Sequence, residues 1–229
     1  TEQRGKAGFV LGLLTYKPHL GLGLGLAALL RGGWRMVAIA TLTLLVLLLL
    51  ATFLYGSDIW SAFRNSLSTS GTILEAGEYK LARMITPFAL FASVGLAPSL
   101  AILLHGGCAL LSLLTLVWVA LKGWQLRHII VLAILTGTTL SPYAYDYDLC
   151  VLAPALALAY QAIKTELTVI LRAVLAASLL LATGYGLTTA LFAGALGDAG
   201  FGLPALAGLG LILTIGITFH AIRRFEANA

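Results

Sequence analysis

The sequence predicts an all-α, polytopic integral membrane protein with about six to eight transmembrane or half-membrane helices. Three observations carry this. First, 60% of the 229 residues are apolar and only 10% are charged, against about 25% charged in ordinary soluble domains. A soluble fold of this size would lack the charge to cover its surface. Second, long stretches carry no Asp, Glu, Lys or Arg: 36–57, 84–121, 129–145, 149–163, 173–197 and 199–222. Third, the apolar runs do not alternate, as Leu44 to Leu50 shows, so they do not read as barrel strands. The apolar content excludes disorder, and no three-residue period suggests collagen. Cys108 and Cys150 cannot form a disulfide framework, and neither has a metal-ligand neighbour. The net charge of +5 belongs to loops and lipid head groups, so membrane lipids are expected partners and nucleic acid is not.

Taken in order, residues 7–30 are apolar but broken at Lys17-Pro18-His19. They read either as one span kinked at Pro18 or as a hairpin of two half-length helices. Gly8/Gly12 and Gly21/Gly25 have the small-residue spacing that permits close helix contact, which favours the hairpin. Residues 34–55 are long enough to span. So are 99–121, 168–192 and 203–222, since spanning takes about 20 apolar residues. Backbone groups have no partners in lipid, and a helix satisfies its own. Residues 56–83 read as a long outer loop carrying Asp58, Arg64, Glu75, Glu78, Lys80 and Arg83. Residues 80–95 read as a short helix beside the membrane. Residues 126–141 and 148–163 form a pair of short helices around Ser141-Pro142. Sixteen residues reach only about 24 Å, so their shared turn, 141–148, should sit in a recess below the outer surface. The chain opens at Thr1 without Met or signal peptide and reads as the C-terminal portion of a longer protein, a single transmembrane domain over 1–229.

Basic residues orient the chain. Arg31 and Arg35, Lys122 and Arg127, Lys164 and Arg172, and Arg223 and Arg224 mark every second loop, whereas 141–148 and 193–202 have no Lys or Arg. The former set and the C-terminus are expected in the cytoplasm, and 56–83 and 141–148 outside. Trp34, Trp60, Trp118 and Trp124 fall near predicted helix ends, as interfacial aromatics do.

Two places could carry chemistry. Lys17 interrupts an apolar stretch, where a charge costs at least ~2.5 kcal/mol unless paired or wet. It either snorkels to an interface or meets an anion in a cavity, phosphate being suitable; His19 adds a donor. Ser141-Pro-Tyr-Ala-Tyr-Asp-Tyr-Asp148 puts two carboxylates and three tyrosines in one turn. It is either an interfacial aromatic turn with solvated acids or a polar floor for a sugar, stacking rings and accepting hydroxyl protons. Asp146-Tyr147-Asp148 also has the Asp-x-Asp form that can hold a divalent metal. No metal site and no cofactor is assigned on that short pattern. His105 reads as a hydrogen-bonded core histidine, and His220 as a mark of the cytoplasmic interface. No Ser/His/Asp arrangement, zinc spacing or phosphate-cradling loop occurs.

Gly12-Leu-Leu-Thr-Tyr-Lys-Pro-His-Leu20, running on to Arg31-Gly-Gly-Trp-Arg35, and Ser141 to Asp148 together resemble glycosyltransferase family 87, bacterial membrane proteins of the GT-C superfamily. The similarity covers the whole chain as the C-terminal part of a member. It implies a GT-C-like helical fold with a catalytic cavity on the outer face of the bacterial inner membrane. It also implies inverting transfer of a sugar, mannose foremost, from a polyprenyl-phosphate donor to a lipid or glycan acceptor. The superfamily's catalytic base is an acid in the first outer loop, which would lie upstream of Thr1, so the 229-residue piece alone is expected to be inactive. The family's Lys-Pro position matches Lys17 and Pro18. The actinobacterial branch has His-His in its Ser-Pro turn where this sequence has Tyr147 and Asp148. The resulting expectation assigns the donor phosphate to Lys17, His19 and Arg83. Sugar or acceptor contacts fall to Tyr145, Asp146, Tyr147 and Asp148. Rival readings are a secondary transporter, which would show two similar halves that are not found here, and a non-catalytic scaffold subunit.

Overall fold

The computed structural model describes residues 2–76, 79–192 and 203–228, apart from the Glu75 side chain. Glu78 and the loop 193–202, which has no Lys or Arg, lie outside the described residues. The chain forms two compact units, Thr1–Tyr79 and Lys80–Ala229. Among the described residues the regular structure is helical, with one isolated bridge between Met84 and Tyr145. Four helices among the described residues are long and apolar enough to cross a membrane, and two shorter apolar ones accompany them. The protein is an all-helical, polytopic membrane protein, as its composition predicts.

In the first unit, α1 (Glu2–Leu13) runs into a 3-10 turn (Leu14–Tyr16), and α2 (Pro18–Leu30) follows. The break falls at Lys17, whose φ of −122° and ψ of 88° are not helical. A residue before proline is disfavoured in the α region, and Pro18 then opens α2 at a position that needs no N–H. Two glycines settle the choice between hairpin and kinked span. A methyl on Gly8 would lie 2.6 Å from Met36 O, and one on Gly12 2.8 Å from Ala40 O and 2.5 Å from Thr43 Cβ. The contacts advance together along both chains, so α1 and α3 (Trp34–Tyr55) run parallel. The intervening α2 must therefore return, which is the hairpin. The glycines of α1 close on α3, however, and not on their hairpin partner. Gly12→Ala should cost about 1–3 kcal/mol, because backbone oxygen cannot give way. Gly25→Ala, with nothing within 4 Å, should leave stability unchanged or slightly raised. Thermal unfolding in detergent compares the two, and equal midpoints would refute the close approach.

Only Ala40 of α3 is buried, while Leu49 and Phe53 are 70% and 86% exposed. An apolar helix with its side chains uncovered is one that lipid must cover. Gly56, at φ 79°, ends α3 in a conformation that suits glycine. Trp60 Nε1 then donates to Thr52 Oγ1 at 3.0 Å, fastening α4 (Ile59–Glu75) to the end of α3. The stretch expected as an outer loop is thus mostly helix. Ile59, Trp60, Phe63, Leu67 and Leu74 recur at helical spacing within it, a pattern that counting charge-free stretches overlooks.

The second unit begins with a 3-10 turn (Leu81–Arg83), an extended link at 84–86, and α5 (Pro87–Ser93). The single helix expected over 80–95 is divided because Pro87 holds Thr86 extended. Thr86 Oγ1 caps α5 by accepting from Ala89 N at 3.1 Å. Met84, Ile85, Phe88 and Ala89 are at most 1% exposed. Residues 84–89 are therefore packed inside the unit.

The helices α6 (Pro98–Leu121), α7 (Leu126–Thr139), α8 (Leu152–Glu166), α9 (Val169–Leu191) and α10 (Leu206–Asn228) complete the unit, with a 3-10 turn (Asp146–Val151) leading into α8. The short α7 is tolerated because its neighbours bury most of it, including Ile129, Val131, Ala133 and Leu135. The helices α9 and α10 are antiparallel. Tyr185 OH donates to Pro204 O at 2.8 Å, and Gly210 lets Ser178 O and Ala182 N approach a methyl's position to 2.6 and 2.7 Å. At the far end of α10, Glu226 Oε1 accepts from Gln125 N at 2.9 Å and lies 2.5 Å from His128 Nδ1. It caps α7 from another helix, a contact between residues 98 or more apart that no local pattern announces. Arg224 and Asn228 reach Glu166 at 3.8 and 3.1 Å. The basic turns at 122–127 and 164–168 thus gather with the C-terminus at one end of the unit. His105 is 3% exposed, as a core residue should be. It lacks the expected hydrogen bond: neither ring nitrogen has one among the described residues.

Candidate functional site

The turn at 141–148 lies at the opposite end of the second unit from Glu226, where α9 meets the link at 83–86. Backbone pairing builds it. Ile85 N donates to Ala144 O at 3.1 Å, and Thr86 Oγ1 donates to Pro142 O at 3.1 Å. The turn and the link are therefore held as a two-stranded clasp. The helix α10 closes on it from one side, where a methyl on Gly208 would come within 2.6 Å of Thr86 O. The helix α9 closes from another, where a methyl on Gly186 would lie 3.0 Å from Asp146 Oδ2 and 3.3 Å from Arg83 O.

The clasp brings Arg83 and Asp146 together across 63 residues of sequence. Their nearest N···O distance is 3.8 Å, with the Asp146 side chain 13% exposed and that of Arg83 42%. Arg83 Nε is buried without a hydrogen bond. Asp146 Oδ1 accepts from Tyr147 N at 2.9 Å. The rings of Tyr145 and Tyr147 stack, with centroids 5.8 Å apart and planes 11° apart. Tyr147 is 61% exposed beside the ion pair. Asp148 is turned inward. It is 5% exposed, and its Oδ2 accepts from Tyr145 N at 3.2 Å while Asp148 N donates to Tyr145 O at 2.9 Å. It shapes the turn that presents its neighbours. The two aspartates of the Asp-x-Asp triplet thus face different partners. Among the described residues no group of three His, Cys, Asp or Glu side chains is arranged to hold a metal.

Five of the expected site residues therefore share one corner of the second unit: Arg83, Tyr145, Asp146, Tyr147 and Asp148. Lys17 and His19 belong to the first unit, at the break before α2, and both are half-buried. Reading the sequence missed Gly186 and the link 84–86. The only local signal was Thr86-Pro87, an N-cap residue followed by a proline at the first helical position. Chemically, a half-exposed guanidinium beside a carboxylate and stacked tyrosines suits a ligand with an anion, hydroxyl groups and an apolar sugar face.

A model of glycosyltransferase family 87 matches residues 1–144 of the chain. The match takes in Lys17, His19 and Arg83 and stops one residue short of Tyr145. No curated protein and no solved structure matches the chain.

Proposed function

The chain belongs to glycosyltransferase family 87, and from that premise we propose that the full-length protein moves a sugar, mannose foremost, from a polyprenyl-phosphate donor to a lipid or glycan acceptor at the outer face of the bacterial plasma membrane. The observation that carries the reading is the Arg83–Asp146 pair with the stacked tyrosines, set in a unit of membrane-spanning helices. In such a transfer the acceptor oxygen bonds to the anomeric carbon as the bond to the phosphate oxygen breaks. Negative charge collects on the departing phosphate, and the acceptor hydroxyl loses its proton. A preorganised cation lowers the barrier of the first event, and a carboxylate accepts the proton of the second. Lys17, His19 and Arg83 are assigned to the phosphate. Tyr145, Tyr147 and Asp146 are assigned to the sugar, with Asp148 holding their turn. The family resemblance assigns the proton-accepting carboxylate to the superfamily's first outer loop.

Reconstituted full-length protein should transfer labelled sugar from a polyprenyl-phosphate donor and not from the corresponding nucleotide sugar. The donor is already lipid-borne, so no nucleotide site is needed. Transfer from the nucleotide sugar, in the absence of any polyprenyl carrier, would overturn the assignment.

A further inference from the structure

We propose that the first unit holds a binding site for the phosphate of an anionic glycerophospholipid head group, lined by Arg4, Arg35 and Trp34. A cavity of about 340 Å³ lies between the start of α1 and the turn into α3, walled by Arg4, Gly32, Trp34 and Arg35. Among the described residues two guanidinium groups line it and no carboxylate does. The nearby Glu2 is engaged elsewhere, 2.8 Å from Lys6 Nζ. Gly32, at φ 70°, turns the chain so that Trp34 and Arg35 can open α3. The Arg35 guanidinium carbon sits 5.4 Å from the centroid of the Trp34 ring, within cation–π range, which fixes one wall.

The parallel course of α1 and α3 brings Arg4 and Arg35 to one face of the membrane. Guanidinium groups match phosphate oxygens in planar, bidentate fashion, which a pair of lysines would not. The setting selects a lipid as the source of that phosphate. Trp34 is 63% exposed at the first residue of a helix long and apolar enough to span, the level at which indole rings meet head groups. Basic pockets at helix ends are a recurrent mode of head-group recognition. The site does not depend on the glycosyl-transfer reading, because it uses none of the residues assigned to donor or acceptor.

Native mass spectrometry of the full-length protein in detergent, titrated with phosphatidylglycerol and with phosphatidylcholine of the same chains, tests this. The unaltered protein should retain phosphatidylglycerol preferentially. The double variant R4Q/R35Q should weaken that retention by roughly 30-fold, about fivefold per arginine. R35K should keep part of it, and R172Q, on α9, all of it. Both arginines are exposed, so the variants should fold, and an unchanged melting temperature checks this. Equal retention of the two lipids, or an undiminished preference in R4Q/R35Q, would overturn the site. Full competition by soluble glycerophosphoglycerol at the lipid's own concentration would overturn the lipid as its source.

Discussion

Asp146→Asn in the full-length protein should lower kcat/KM roughly 10- to 100-fold and leave the melting temperature nearly unchanged. The two readouts separate a role toward substrate from a role in the fold. As a structural pair, Arg83 and Asp146 are weak: at 3.8 Å, with Arg83 42% exposed, such a bridge contributes about 0–1 kcal/mol. Asparagine keeps the shape that fits against Gly186 and keeps an oxygen for Tyr147 N, so the turn should survive. What it loses is a charged acceptor for sugar hydroxyls, and hydrogen bonds to charged groups contribute about 1.5–3 kcal/mol each. Arg83→Met completes the comparison. If Arg83 serves only to position Asp146, it should cost nothing further in the Asp146→Asn background. If it also meets the donor phosphate, the double variant should be slower than either single one. A fall in activity matched by a fall in melting temperature would reduce the pair to a structural clasp.

The spans were readable because their signal is local. Lipid demands an uninterrupted apolar length, and Trp34–Tyr55 and Pro98–Leu121 show it without reference to any other segment. The break at Lys17-Pro18 was readable for the same reason, since proline restricts its own neighbour. Whether that break made a kink or a hairpin was not, because the answer lies in how Gly8 and Gly12 meet α3. The site divides along the same line. The aromatic and acidic residues of 141–148 stand together in the sequence and could be picked out. Their partners come from the Arg83–Thr86 link and from Gly186 of α9, and only tertiary packing brings those in. Asp148 shows a further limit: composition cannot tell a carboxylate that faces a ligand from one spent on its own turn. The match over residues 1–144 stops just before this cluster, so the case for Tyr145 to Asp148 rests on their geometry.

Lys17→Met should cut turnover of the full-length enzyme about 100-fold or more, on the proposal that Lys17 faces the donor phosphate. Lys17 is the one charged residue within 7–30, and an ammonium in an apolar stretch costs at least ~2.5 kcal/mol unless an anion or water compensates. The helix break at Pro18 supplies a place for it, since Lys17 stands half-buried at the non-helical residue between two helices. If the compensating anion is the donor's phosphate, attraction grows as the glycosidic bond breaks and charge gathers on the leaving oxygens. The interaction then contributes more to the transition state than to donor binding. Turnover at saturating donor should therefore fall further than donor affinity, by the ~10²–10³-fold typical of losing one preorganised donor. Lys17→Arg should recover part of the loss, keeping the charge in a different geometry. Rates must be compared at equal folded yield, because removing a half-buried charge can itself alter stability. Unchanged turnover in Lys17→Met at saturating donor would make Lys17 a snorkelling residue and leave the phosphate to Arg83.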